Sequence, residues 1–65
     1  METQLKELLN NMDVPEKRKE LNLQNLRWLG RNLAIQNRNH PDFPMAKQLL
    51  ATLLTQQGDS PFILE

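Results

Sequence analysis

Apolar side chains return along this chain every three or four residues. Leu5, Leu8, Leu9 and Met12 fall at i, i+3, i+4 and i+7. That is the spacing of one face of an α-helix, and it predicts a first helix over residues 2–12. Asp13-Val14-Pro15 ends it, because a proline pushes the preceding residue out of the α region. The charged run Pro15-Glu16-Lys17-Arg18-Lys19-Glu20 predicts a short helical turn over 15–20, with proline where a first turn tolerates it. Asn22 reads as the N-cap of a second helix over 22–36, with Leu21 and Leu26 at the two positions of a hydrophobic staple. Asn37-Arg38-Asn39-His40-Pro41 reads as a loop of turn formers. A third helix is predicted over 43–57, with Asp42 as N-cap, Pro44 in the first turn and Gly58 as the C-terminal stop. Phe43, Ala46, Leu50, Leu53 and Leu54 share its apolar face, with Leu49 beside it.

The second helix carries two apolar stripes. At about 100° per residue, Leu23, Leu26, Leu29, Gly30, Leu33 and Ala34 make one broad stripe. Trp28 and Ile35 make another on nearly the opposite side. Arg27, Arg31 and Gln24 lie along one seam between the stripes, and Asn25, Asn32 and Gln36 along the other. A helix apolar on two sides either sits between two neighbours or keeps a face for a partner. This pattern predicts a central second helix and makes Trp28 either a core residue or an interface anchor. Gly30, on the leucine stripe, predicts a close approach by another helix. Gly30→Leu should then lower thermal stability strongly, and an unchanged melting temperature would count against the close approach.

Composition agrees with the helices. Leucine supplies 13 residues, while valine and isoleucine together supply three and tyrosine is absent, so strand formers are scarce. The fold class expected is an all-α, small three-helix domain spanning residues 1–58. A tail over 59–65, polar and then apolar, is either flexible or folded back. At 65 residues a chain buries only about 60% of the surface it exposes when unfolded. Its core is therefore small, and reinforcement or a partner is expected. Cysteine is absent and His40 is the one histidine, which excludes disulfides and leaves too few ligands for a structural zinc site. Asparagine and glutamine, 13 in all, read as helix surface and caps.

Formal charge is zero, but unevenly spread. Lys17, Arg18, Lys19, Arg27, Arg31 and Arg38 face only Glu16 and Glu20 in the middle segment, between two acidic flanks. No stretch approaches the ~20 apolar residues of a membrane span. The N-terminus is acidic where a signal peptide is basic, so a cytoplasmic protein is expected. His40 and Asp42 stand near no serine or cysteine, and His40 reads as a loop residue. Glu16 and Glu20 are interleaved with cations as a solvated face would be. With no glycine-rich phosphate loop either, we expect no enzyme, no catalytic residue, no metal, no cofactor and no small-molecule substrate. The function expected is a small interaction or regulatory module binding a protein partner or a second copy of itself as a homodimer. Arg27, Trp28, Arg31, Ile35 and Arg38 are the candidate contact residues, since tryptophan and arginine are enriched at interface centres. The alternative is a nucleic-acid-binding module using the basic segment 17–38, its arginines on phosphates and its amides on base edges. The lack of a basic excess and a proline-containing loop, not a tight turn, between the second and third helices weigh against it. Phe62-Ile63-Leu64 reads equally as a docking peptide or as a cover for the bundle.

Overall fold

Three helices form where the apolar spacing places them in the computed structural model, which describes residues 1–58. They are α1 (Glu2–Asn10), α2 (Leu23–Asn37) and α3 (Phe43–Gln56). The expectations for the tail at 59–65 lie outside the described residues. Among those described there is no strand, and the fold is all-α.

Each helix buries the face that its spacing defined. Leu5 and Leu9 of α1, Leu26, Leu29 and Leu33 of α2, and Phe43, Ala46, Leu50, Leu53 and Leu54 of α3 make one core with Met12 and Val14. Leu8, Leu21, Leu23, Ala34 and Leu49 pack against it half-buried. Burying each leucine side chain contributes roughly 1.5–3 kcal/mol, and the shared face is what holds three short helices that would be marginal alone. Gly30 is half-buried within α2.

The terminal chemistry follows the sequence in part. Asn22 caps α2, its side-chain oxygen accepting the Asn25 N–H at 2.8 Å. Gly58 follows α3 with φ +82°, and its N–H donates to the Thr55 carbonyl at 3.0 Å, as a left-handed residue after a helix does. Asp42 stands at the N-cap of α3, but its side chain makes no capping hydrogen bond.

Two expectations need correction, and a third is narrowed. Helix α2 is not central: α3 packs against both α1 and α2, and α2 meets the 3-10 turn and α3 but not α1. The helical turn expected over 15–20 is present and is a 3-10 turn at Glu16–Arg18. Asn37, expected in a loop, is the last residue of α2 and is buried.

The correction at Asn37 explains the path of the chain between α1 and α2. Its side-chain oxygen accepts the Asp13 N–H at 3.0 Å, and its amide donates to the Asp13 carbonyl at 3.3 Å. Near the other end of α2, the buried amide of Asn25 donates to the Glu20 carbonyl at 2.8 Å and to the Lys17 carbonyl at 3.2 Å. The two asparagines are twelve residues apart on the helix, about 18 Å along its axis. The connection therefore runs from the C-terminal end of α2 back to its N-terminal end, fastened at both. His40 adds a third tie: Nδ1 accepts the Asp42 N–H at 3.1 Å and Nε2 lies 2.8 Å from the Asn11 carbonyl. Since Nδ1 accepts, the proton sits on Nε2, which donates to Asn11. Helix α1 stops at Asn10, ahead of the expected 12, because the Asn11 carbonyl and both backbone groups of Asp13 are taken by these side chains.

Candidate partner-binding surface

The fastened connection decides what becomes of the second apolar stripe. Trp28 points from α2 to the side along which residues 13–18 pass. It is half-buried, packed against the edge of the core. The guanidinium of Arg18 lies over its ring, 5.0 Å from the centroid. Arg18 is held there by donating to the Asn25 side-chain oxygen at 3.3 Å. Part of the stripe is thus covered by the chain's own connection, not by a third helix.

Ile35, two turns further along α2, is 73% exposed. No other large apolar side chain among the described residues is as open; Met1 and Met45 follow, at 51% and 50%. Between Ile35 and Trp28 the surface is concave. One hollow of about 290 Å³ is walled by Val14 and Pro15 on the connection and by Trp28, Leu33 and Ile35 on α2, with Asp13 and Asn37 at its edge. A second, of about 510 Å³, lies on the other side of the indole between Arg18, Leu23, Arg27 and Arg31. Trp28 and Asn32 are common to both. The Asn32 amide donates to the Trp28 carbonyl at 2.8 Å, which holds it down on the helix.

All five candidate contact residues lie in or just beyond α2. Arg27, Arg31 and Arg38 are exposed, and at 100° per residue they fall within one narrow stripe beside Trp28 and Ile35. Arg38 is the residue on which α2 ends, where a cation also complements the negative end of the helix dipole. Among the described residues Arg31 and Arg38 carry no ion pair; Lys19 is paired with Glu16 at 3.1 Å. The structure adds Arg18 and the wall of Val14 and Pro15, which helical spacing does not assign to this surface. Arg18 stands ten residues from Trp28 in a run of charges, and nothing in helical spacing links the two. Asn25 and Asn37, expected on the surface, are 6% and 4% exposed and serve the fold.

Among the described residues no three His, Cys, Asp or Glu side chains stand together as metal ligands, and no helix is long and apolar enough to cross a membrane. Comparison with protein-family models, with curated proteins and with solved structures gives no match.

Proposed function

We propose that this chain is a small non-enzymatic interaction module that binds a protein partner through the outward face of α2. One observation carries the reading: an isoleucine left 73% exposed on α2, next to a half-buried tryptophan and open hollows, with a stripe of arginines alongside. Protein interfaces are built this way, with an apolar centre, aromatic and arginine anchors and a polar rim. The surface rests on a helix tied at both ends, so it is ordered before a partner arrives, which lowers the entropic cost of binding. We further read the module as cytoplasmic, which fractionation of the native cell checks.

The experiment is a comparative capture from the native cell with immobilised wild-type chain, Ile35→Glu and the exposed control Gln48→Glu. A protein retained by the wild type and the control but lost by Ile35→Glu is the expected result. Circular dichroism of each variant confirms that the helices persist. Equal retention by all three baits would remove the surface from consideration. The alternative occupant, a nucleic acid, is carried by the basic stretch of α2. It is less well served here, because Arg18 already covers the indole ring where a base would stack.

A further inference from the structure

We infer that the partner offers an acidic amphipathic helix to this face, and that the face is not a contact between two copies of this chain. The inference rests on the reading above and gives the partner its chemistry.

The face has two parallel rows. Trp28 and Ile35 are seven residues apart, as are Arg31 and Arg38, so an apolar row and a basic row each repeat at two turns, about 10.5 Å. A helix laid along α2 meets such rows with apolar residues at i, i+3, i+4 and i+7 and acidic residues on one flank. The span from Arg27 to Arg38 is about 16 Å, three turns of the incoming helix. The hollows on either side of the indole accept its apolar side chains. Among the described residues the larger hollow is bordered by Arg18, Arg27 and Arg31 and by no carboxylate, and Asp13 is the acidic side chain lining the smaller one. Arg31 and Arg38 have no ion pair among the described residues, so an incoming carboxylate displaces nothing to reach them.

A second copy fits poorly for reasons of charge and closure. A stable dimer covers on the order of 800 Å² on each subunit, roughly a fifth of the 4265 Å² surface. A two-fold axis through α2 would bring that area together with arginine rows opposed. The acidic residues of α1, Glu2 and Glu7, belong to a helix that does not touch α2. Pairing them with the arginines of another copy is head-to-tail, which builds rings or open chains in place of a two-fold dimer. A nucleic acid would set the exposed Ile35 against a phosphate backbone, where it gains nothing.

The test uses the full chain and synthetic peptides of three to four helical turns, followed by fluorescence anisotropy. One peptide carries leucines at i, i+3, i+4 and i+7 with a glutamate flank, a second has lysine in place of glutamate, and a third has the leucines replaced by serine. Binding of the glutamate peptide is expected, weakening as salt rises, with Trp28 emission moving to the blue. Arg31→Glu, Arg38→Glu and Ile35→Glu should each raise its Kd by about tenfold while leaving the helical spectrum intact. Four results would overturn the inference: no binding at about 1 mM peptide; equal binding of the lysine or serine peptide; sedimentation as a dimer that Ile35→Glu disperses; or an oligonucleotide that binds where the glutamate peptide does not. If an Ile35-dependent protein is captured while the glutamate peptide stays silent, the chemistry given to the partner falls and the interaction module stands. If both are silent, both fall.

Discussion

Asn25 and Asn37 do more for this fold than their side-chain size suggests. Each is buried, and each satisfies backbone groups of a connection whose only regular element among the described residues is a three-residue 3-10 turn. A buried polar group left without a partner costs about 1–3 kcal/mol. Asn37→Ala removes the part-buried bonds to the N–H and the carbonyl of the exposed Asp13, each worth about 0.5–1.5 kcal/mol, and should destabilise by about 1–3 kcal/mol in urea denaturation. Asn37→Asp should cost more at neutral pH, because it removes the amide donor and buries a charge. An unchanged midpoint in either variant would show that residue 13 is not held. Arg18→Ala removes the cation over the indole, a contact worth about 0.5–1 kcal/mol at a partly exposed site. It should move Trp28 emission to the red, whereas Arg18→Lys should keep part of both effects. At this scale the sequence was a poor guide. Asparagine reads as surface or cap, and only the approach of a distant carbonyl turns it into a buried tie.

Helix α3 is the element on which the others rest. Its face of Phe43, Ala46, Leu50, Leu53 and Leu54 is buried along the whole helix because α1 and α2 both pack on it. Leu50 is fully buried, and Leu50→Ala should cost about 2–5 kcal/mol, enough to unfold much of so small a domain. The same change at the half-buried Leu8 should cost clearly less. Thermal melts of the two variants make the comparison, and equal losses would mean that α3 is not the common support. The helices themselves were legible: spacing, the Asn22 cap, Pro44 and Gly58 place them to within two residues of where they lie. Their order of packing was not. The two apolar sides of α2 suggested a helix flanked by helices, yet one side is met by an irregular segment whose residues carry no periodic signal.

For the molecule as a whole, fastening the connection at both ends of α2 ties its stability to that of the bundle. Trp28 fluorescence reports on the contact between connection and α2, and far-ultraviolet dichroism reports on the helices. The two should follow one urea transition with the same midpoint, as small two-state domains do. An earlier fluorescence transition would show the connection leaving α2 while the helices persist. The Ile35 side chain, 73% exposed, adds little to this cooperative unit. Ile35→Glu should shift the midpoint by no more than about 0.5 kcal/mol, which is why it serves as a binding variant.

What the sequence determined alone is the local part: three amphipathic helices, their ends, and the leucines that face inward. These depend on periods of three to four residues and on caps that act within one turn. The tertiary structure decided which helix supports the others, which asparagines are buried, and how much of the second stripe on α2 stays open. Those outcomes depend on the route of residues 11–22, set by hydrogen bonds between groups up to 29 positions apart. Arg18 reaches Trp28, and Ile35 remains uncovered, because of where that route runs, and no spacing along the chain encodes it.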